Sequence, residues 1–526
     1  MSADAIVAGR TTLGIELGST RIKACLIGED GTVLAVGSHQ WENRFEGRVW
    51  TYALEDVWGG IRSAYRDLSA DVQRRFDVRL ETIGAIGVSA MMHGYLAFDA
   101  DDELLVPFRT WRNTTTGRAA AGLTELFGTN IPLRWSVAHL YQAILDEEPH
   151  VPEVRSLTTL AGYVHWKLTG RRVLGVGDAS VMFPIDAATR SYDDQVLQLF
   201  DGVVAEAMPA LHLAEILPQV LVAGQVAGQL TAEGAAMFDP SGSLPAGIAF
   251  CPPEGDAGTG MVATNAVAPR TGNVSVGTSI FAMVVLERPL ERLHQELDLV
   301  TTPAGDPVAM VHCNNGASEL AAWAAMFGRF AAVTSAPVDS DATFDALFRE
   351  ALDGEADAGG LLAYNHLAGE PIAGLAEGRP LFVRTPDSRL TLANFMRAQL
   401  YGVFGTLSLG MRVLKDEGVP LDLMFAHGGM FRTAGVAQRF LAGALGAPVA
   451  VGETASEGGA WGMAVLASYL AHAQESGLSG YLDDRVFADA SIQVVEPDAE
   501  DAAGFAAYLD RYRAGLVVER AAAEVL

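Results

Sequence analysis

Short runs of apolar residues, some alternating with polar residues and some continuous, predict strands along the first part of the chain. Asp30-Gly31 is typical of a hairpin turn between two of these runs. The last run is the most continuously apolar, which predicts the most deeply buried strand. The predicted strands lie at 13–17, 21–27, 32–37 and 81–92.

Helical spacing of apolar residues alternates with these strand patterns, so we expect a mixed α/β fold. The spacing is clearest at 54–68, 392–413 and 502–526. A chain of 526 residues is longer than a single core of roughly 250–300 residues can hold. Pro and Gly interrupt the apolar pattern at 267–272, and we therefore predict two domains, at 10–269 and 270–526.

The charge of the chain narrows the classes of partner. Sixty-four acidic and 36 basic residues give a formal net charge of −28, which argues against nucleic acid or an anionic membrane as the main partner. Phosphate is not excluded, because backbone N–H groups bind anions inside acidic proteins. The three cysteines are too widely spaced to suggest a disulfide framework or a zinc site. With no secretion signal and no uninterrupted apolar stretch of ~20 residues, we expect a soluble, cytoplasmic protein.

One short turn is written twice, as ELGST near the start and as SVGTS far downstream. Each copy combines a glycine with two hydroxyl side chains, so backbone N–H groups and hydroxyls can hold phosphate oxygens without a bulky side chain in the way. A single copy is typical of an ordinary turn. Two copies, one at the head of each predicted domain, favour duplicated domains that face a polyphosphate. The candidate phosphate-binding residues are Gly18, Ser19, Thr20, Gly277, Thr278 and Ser279.

These turns and a series of further motifs, in the same order along almost the whole chain, resemble the FGGY carbohydrate kinases, and most closely the xylulose kinases among them. This family belongs to the superfamily of actin, heat-shock ATPases and sugar kinases. The motifs that carry the resemblance are LGIELGSTRIKACLI, SAMMHGYLAFD, TWRNTTT, LTGRRVLGVGDAS, PEGDAGTG, NVSVGTSIFAMV, NFMRAQLYGV, FAHGGMFRT and EGGAWGMAVLA.

The resemblance implies a fold of two ribonuclease-H-like domains that flank a catalytic cleft. It also implies ATP and Mg²⁺ as cofactors, and phosphorylation of a ketose, with xylulose converted to xylulose 5-phosphate as the expected reaction. Phosphoryl transfer needs an aligned hydroxyl nucleophile, charge neutralisation and a carboxylate that receives the hydroxyl proton. Asp256, in GDAG, is the candidate catalytic base, although a turn-capping Asp is the simpler interpretation of such a residue taken alone.

Glu16 stands where the family has Asp. Its longer side chain can still reach a metal-bound water, because Mg²⁺ usually keeps several waters. We therefore expect Glu16 on the metal and phosphate side of the site, with a strand surface charge as the alternative.

The resemblance also implies the sugar contacts. Met92 and His93 match the Met-His pair with which xylulose kinases contact the sugar, where glycerol kinases carry Arg-Glu. An aromatic face at Trp111 suits the carbon edge of a sugar. The predicted sugar-binding residues are Met92, His93, Trp111, Asp178 and Asp256. Taken alone, His93 could be a hydrogen-bonded structural residue, Trp111 a core aromatic and Asp178 part of an Asx turn.

Two positions depart from the family pattern near Trp111. Asn113 stands where Asp is usual and Thr115 where Arg is common. Two charges are thereby lost from the expected sugar rim, which leaves a ribulose-type pentulose or a polyol open as the substrate.

For the nucleotide, Gly428 and Gly429 in HGGM would let a base and ribose approach the backbone closely. A helix cap or a tight turn is the alternative interpretation. We expect these glycines to bind the end of ATP opposite to the end held by the phosphate turns.

Other function classes have weaker support. A P-loop is excluded because no lysine follows a glycine. Residues 258–263 match the dinucleotide pattern GxGxxA and make a dehydrogenase a formal alternative, but two prolines separate them from the preceding apolar run. An ATPase of the same superfamily that acts on no sugar stays open, as does assembly into a homodimer.

Overall fold

The architecture was obtained as a computed structural model, which describes residues 2–334, 339–452 and 458–526. Glu457, the first residue of the predicted motif EGGAWGMAVLA, lies outside these ranges. In the described part of the chain, no helix is both long and apolar enough to cross a membrane.

Strands are found throughout the chain and are numbered in chain order. They are β1 Thr12–Leu17, β2 Arg21–Ile27, β3 Val33–Gln40, β4 Arg44–Glu46, β5 Val49–Thr51, β6 Ala85–Ala90, β7 Leu96–Phe98, β8 Ser156–Thr158, β9 Val173–Gly175, β10 Ile185–Asp186, β11 Ser191–Tyr192, β12 Gln219–Leu221, β13 Gly228–Gln229, β14 Ala249–Phe250, β15 Glu254–Gly255, β16 Thr271–Val276, β17 Ile280–Val285, β18 Asp298–Thr301, β19 Pro307–Cys313, β20 Leu362–Tyr364, β21 Leu381–Val383, β22 Leu423–His427, β23 Val449–Gly452 and β24 Ile492–Val495.

The α-helices alternate with these strands. They are α1 Ser2–Val7, α2 Leu54–Phe76, α3 Gly117–Phe127, α4 Ser136–Leu145, α5 Leu160–Thr169, α6 Val176–Ala179, α7 Asp194–Val204, α8 Leu213–Ile216, α9 Ala232–Phe238, α10 Asp256–Ala263, α11 Ser318–Val333, α12 Ser340–Glu350, α13 Leu392–Asp416, α14 Val436–Leu445, α15 Gly459–Tyr469, α16 Leu478–Tyr481 and α17 Ala499–Val525.

The chain forms two compact units, each assembled from segments that are separate in sequence. Unit 1 comprises Met1–Ala268, Leu299–Val308 and Thr454–Asp489. Unit 2 comprises Pro269–Asp298, Ala309–Glu453 and Ala490–Leu526. The predicted domain ranges, 10–269 and 270–526, stay a prediction.

Unit 1 is built on a sheet in the order β13-β14-β6-β1-β2-β3. Strand β1 pairs antiparallel with β2 and parallel with β6. Gly14 lets α15 approach closely, because a Cβ atom there would lie 2.0 Å from the carbonyl oxygen of Ala460. At Gly37 a Cβ atom would lie 2.1 Å from the carbonyl oxygen of Ala64 in α2. Gly14 pairs with Cys25 of β2, and Gly37 pairs with its neighbour Ala24. Because neighbouring residues of a strand face opposite sides of the sheet, α15 and α2 cover opposite faces.

Unit 2 contains a sheet whose central strands repeat this arrangement. The order is β19-β17-β16-β22-β23-β24, in which β16 pairs antiparallel with β17 and parallel with β22. The third pairing of the series, β22 with β23, is parallel, as is β6 with β14 in unit 1. The predicted α/β class with two sheet-centred, ribonuclease-H-like units is therefore confirmed. The repetition puts the two glycine turns at equivalent places, between β1 and β2 and between β16 and β17.

The predicted elements are present with small shifts of their bounds. The run at 81–92 forms the strand β6 only from Ala85 to Ala90, and all six of its residues are buried. The predicted helices at 54–68 and 392–413 extend to Phe76 and Asp416. The residues Asp30-Gly31 lie in the connection between β2 and β3, where Gly31 has φ +75°.

Candidate active site

The first glycine turn is held through its carbonyl groups by aromatic side chains of unit 1. Trp41 donates its indole N–H to the carbonyl of Gly18 at 2.7 Å, and the Tyr52 hydroxyl donates to the carbonyl of Ser19 at 2.6 Å. The two rings stack on each other with centroids 4.2 Å apart. This packing fixes the backbone of the turn and leaves Thr20 exposed, as a preformed anion-binding turn requires.

Asp256 is the first residue of α10 and follows directly from β15, which pairs with the end of β6. Its Oδ1 accepts the backbone N–H of Met92 at 3.0 Å. Burial raises the pKa of this carboxyl, while the N–H groups of Met92 and Ala257 oppose the rise. A raised pKa suits a group that accepts a proton during a reaction near neutral pH.

His93 follows Met92 in an unusual backbone conformation. Its φ is +71°, and that of Gly94 is +113°. A residue other than glycine rarely adopts such a value, and strain of this kind is concentrated at functional sites. The carbonyl of Gly94 is held by the Ser136 hydroxyl at 2.6 Å. The strained turn thus places the buried His93 directly beside the Asp256 contact.

Asp178 lies on the short helix α6 and is 1% exposed. Its Oδ2 accepts the hydroxyl of Thr159 at 2.5 Å. Burial raises the pKa of Asp178 to about 7, with the charge of Asp256 adding to the rise and the Thr159 hydrogen bond opposing it. The structure therefore brings three predicted acceptor-site residues of unit 1 together, namely Met92, Asp178 and Asp256.

Glu16, the predicted metal-side residue, lies near the end of β1 and points to the start of α15. Its Oε2 accepts the backbone N–H of Ala460 at 3.2 Å. A Cβ atom at Gly459 would lie 2.6 Å from Oε1 of Glu16 and 3.0 Å from the Thr259 hydroxyl. The carboxylate is thus stabilised by the positive end of a helix dipole, close to the helix that carries Asp256.

Trp111 contacts the first glycine turn through its indole N–H, which donates to the Ser19 hydroxyl at 3.2 Å. Trp111 therefore contacts the first glycine turn, and its place in the sugar rim stays a prediction. Asn113 hydrogen-bonds the backbone of β5. Its amide nitrogen donates to the carbonyl of Trp50 at 2.8 Å, and its amide oxygen accepts the N–H of Trp50 at 2.9 Å.

The expectation that Asn113 and Thr115 change the charge of a sugar rim stays a prediction. Asn113 is 6% exposed and hydrogen-bonds the backbone of Trp50 both as a donor and as an acceptor. An amide is needed for this pair of hydrogen bonds, because a carboxylate cannot donate. Thr115 is exposed on the same loop.

In unit 2 the second glycine turn is anchored in the same manner, through its carbonyl groups. The carbonyls of Gly277 and Thr278 accept the N–H groups of Ala317 and Gly316 at 2.8 and 2.7 Å, just before α11. Gly428 packs against the residue that precedes the turn, because a Cβ atom there would lie 2.4 Å from the carbonyl oxygen of Val276.

Gly428 and Gly429 follow β22, which runs parallel to β16, so both connections leave the same edge of the sheet. Gly428 and Gly429 therefore lie beside the second glycine turn, and their binding of one end of ATP stays a prediction. Gly428 has φ +113°, which only glycine adopts readily.

Some residues of this neighbourhood were not predicted. Glu254 binds the backbone beside Asp178 and is 2% exposed. Its signal was present in the sequence, since it lies two residues before Asp256 in the motif PEGDAGTG. Thr159 and the aromatic pair Trp41 and Tyr52 had no such signal, because they reach the site from distant segments.

Known protein families match both parts of the chain. The pattern described as the FGGY family of carbohydrate kinases, N-terminal domain, matches residues 11–250, and the pattern for the C-terminal domain of the same family matches residues 272–471. Together these ranges cover most of the 526 residues.

Individual relatives are distant. The xylulose kinase of Escherichia coli K12 is 25% identical over 223 residues, which are 40% of this chain and 44% of that protein. The glycerol kinase of Thermococcus gammatolerans is 20% identical over 251 residues, 44% of this chain and 50% of that protein. The chain thus spans about half the length of the curated relatives it matches.

Two solved structures share the fold of this chain over nearly its full length. The xylulose kinase of Rhodospirillum rubrum superimposes with a TM-score of 0.78 at 21% identity, covering 97% of this chain and 99% of that one. The gluconate kinase of Lactobacillus acidophilus gives a TM-score of 0.76 at 18% identity, with coverage of 97% and 99%. At this identity the likeness shows the fold alone. With both family patterns matched in order, the chain belongs to the FGGY family of carbohydrate kinases.

Proposed function

We propose that this protein is an ATP-dependent ketose kinase that phosphorylates a pentulose, with xylulose converted to xylulose 5-phosphate as the leading candidate reaction. The observation that carries the proposal is the hydrogen bond between the N–H of Met92 and Oδ1 of Asp256. It joins the Met-His segment, expected to contact the sugar, to the carboxylate expected to act as base.

In the proposed reaction the oxygen of the sugar hydroxyl forms a bond to the γ-phosphorus of ATP, and Asp256 accepts the proton of that hydroxyl. The bond between that phosphorus and the bridging oxygen breaks, and ADP leaves. The partly buried carboxyl has a raised pKa, which increases its basicity without removing its charge-stabilising N–H contacts. The adjacent Asp178, with a pKa of about 7, can hold a proton and donate a hydrogen bond to another sugar oxygen.

For the nucleotide, we propose that the adjoining turns of unit 2 bind ATP through Gly277, Thr278, Ser279, Gly428 and Gly429. Gly18, Ser19 and Thr20 keep a proposed phosphate-binding role in unit 1. In support of this role, carbonyl groups of each turn accept hydrogen bonds from other segments of the same unit. These hydrogen bonds order the backbone of the turn.

We propose that Mg²⁺ is bound through water molecules. Among the described residues, no group of three His, Cys, Asp or Glu side chains is placed to hold a metal ion directly. Mg²⁺ characteristically keeps several waters and binds through nucleotide phosphates and one or two carboxylates. Glu16 would supply such a carboxylate, and the ion would neutralise charge on the phosphates.

A polyol kinase is the second candidate function. The similarity to a glycerol kinase supports it. Against it stands the Met92-His93 pair, which resembles the Met-His pair of xylulose kinases and not the Arg-Glu pair of glycerol kinases. A ribulose-type pentulose is compatible with the same residues.

The proposed function is tested by incubating the purified protein with Mg·ATP and a panel of pentuloses, polyols and gluconate, with ADP formation followed and the product identified by mass. A pentulose product heavier by one phosphoryl group would support the proposal. Preferential turnover of glycerol or another polyol would favour the second candidate. ATP hydrolysis at one rate with or without every acceptor would refute both and support an ATPase. Cytoplasmic location and a homodimeric state stay predictions from the sequence.

A further inference from the structure

Glu254 is a buried carboxyl group with an unusual set of partners. Its Oε2 accepts the backbone N–H of Asp178 at 3.0 Å, and its Oε1 accepts the N–H of Gly177 at 3.4 Å. Burial raises its pKa well above the ordinary value, the charge of Asp178 adds to the rise, and the backbone N–H groups oppose it. Burying a carboxylate is costly unless the group is paired and hydrogen-bonded.

Two glycines make the space for this carboxyl group. A Cβ atom at Gly175 would lie 2.1 Å from Oε1, and one at Gly177 would lie 2.5 Å from Oε2. Neither glycine has a positive φ. The demand for glycine at Gly177 therefore comes from the room that Glu254 occupies, and at Gly175 the carbonyl oxygen of Pro253, 2.8 Å from the added Cβ atom, adds to the same demand.

The segment that carries Asp178 is held against the Glu254 strand at further points. The N–H of Gly175 donates to the carbonyl of Pro253 at 2.8 Å. A Cβ atom at Gly255 would lie 3.3 Å from Oδ1 of Asp178, so the Asp178 carboxyl rests against the backbone between Glu254 and Asp256. Glu254 is consequently the side-chain link between the two segments that bear the predicted acceptor-site carboxyls.

We propose that Glu254 is a positioning residue, which fixes the carboxyl of Asp178 relative to that of Asp256 and thereby sets the binding geometry of the sugar acceptor. This inference rests on the proposed function, since it concerns the acceptor half of that reaction. It predicts a selective defect: loss of Glu254 disturbs the acceptor and not the nucleotide.

The first test compares Glu254→Gln and Glu254→Ala with the wild type in steady-state kinetics for both substrates. We expect kcat/KM for the pentulose to fall roughly 10- to 100-fold in the Ala variant, because a misplacement of about 1 Å has effects of this size. KM for ATP should stay within about twofold. The Gln variant should recover much of the loss, because its amide oxygen can still accept the N–H of Asp178. Glu81→Ala, at an exposed glutamate of the same unit, is the matched control and should leave both constants unchanged.

The second test is a double-mutant cycle with Gly177→Ala. Its new methyl group should displace the Glu254 carboxyl and reproduce the acceptor defect, whereas in the Glu254→Ala background the same change should cost little. Gly59→Ala, where a Cβ atom meets nothing within 4 Å, controls for the change of residue type.

The outcomes separate this inference from the function on which it rests. Normal pentulose kinetics in Glu254→Ala, equal losses for pentulose and ATP, or independent effects in the cycle would each overturn the role of Glu254 while the kinase assignment stands. A wild type without phosphoryl transfer to any acceptor would overturn the proposed function, and this inference with it. If the Ala variant does not fold, the Gln variant and Gly177→Ala decide the matter.

Discussion

The backbone N–H of Met92 donates to Oδ1 of Asp256 across 164 positions of sequence. Met92 comes just after the central strand β6, and Asp256 just after β15, which pairs with the end of the same strand. Because parallel strands end at one edge of a sheet, side chains that follow them lie close together. The motifs SAMMHGYLAFD and PEGDAGTG thus lie next to each other at one edge of the sheet.

Replacing Asp256 with Asn should abolish most phosphoryl transfer. The amide oxygen can still accept the N–H of Met92, but the side chain no longer takes up the acceptor proton. General-base contributions of about 10²- to 10⁴-fold set the expected fall in kcat. Initial rates of pentulose-dependent ADP formation measure this, and ATP binding by calorimetry should be retained.

Asp30→Asn is the matched control for this substitution, since Asp30 Oδ1 likewise accepts a backbone N–H, that of Thr32, in an exposed turn. Its kinetics should equal those of the wild type. Near-normal turnover in Asp256→Asn would show that another group receives the proton.

Much of the fold could be predicted from the sequence, because its signals are local. The alternation in β1, β2 and β3 and the helical spacing of α2, α13 and α17 are written within single segments. The repeated glycine turn also indicated duplicated units, since each copy joins two strands of similar pattern.

The partners of the site residues could not be predicted, because they depend on pairings between distant segments. Nothing near Asn113 in sequence indicates that its amide binds the backbone of Trp50. Likewise, the contact of Gly428 with Val276 follows from the parallel pairing of β16 and β22, which periodicity does not specify. The discontinuous composition of unit 1 has the same origin.

The carboxyl of Asp178 should make stability depend on pH. Its pKa rises from 3.8 to about 7 on folding, through burial above all. Between these values the folded protein holds a proton that the unfolded chain releases, so increasing pH favours unfolding. Relative to Asp178→Asn, the wild type should lose roughly 2 kcal/mol of unfolding free energy between about pH 5 and pH 7.5.

Urea unfolding of both proteins at the two pH values measures this difference. Comparing the two proteins removes the contribution of titrating groups that do not interact with Asp178. A difference in unfolding free energy that does not change with pH would mean that Asp178 titrates normally in the folded state.

Gly428→Ala should impair nucleotide binding selectively. The residue has φ +113°, and the added Cβ atom would lie 2.4 Å from the carbonyl oxygen of Val276, next to the second glycine turn. Displacing these neighbouring turns should raise KM for ATP roughly tenfold, with KM for the pentulose nearly unchanged.

Gly446→Ala separates backbone strain from the clash, because Gly446 also has a positive φ, +67°, but a Cβ atom there meets nothing within 4 Å. This control should lose stability without a change in KM for ATP. Equal KM values for ATP in both variants would contradict a role of the Gly428 contact in the nucleotide site.

Asn113→Asp, which restores the residue usual in the family, should destabilise the protein and not improve sugar binding. The amide nitrogen of Asn113 donates to the carbonyls of Trp50 and Thr110 at 2.8 and 3.0 Å, and a carboxylate would instead present an acceptor to two acceptors. Leaving buried groups unpaired in this way costs about 1–3 kcal/mol. Thermal and urea unfolding of the variant and of the wild type measure the loss. A stable Asn113→Asp protein with a lower KM for the pentulose would instead show that this position belongs to the sugar site.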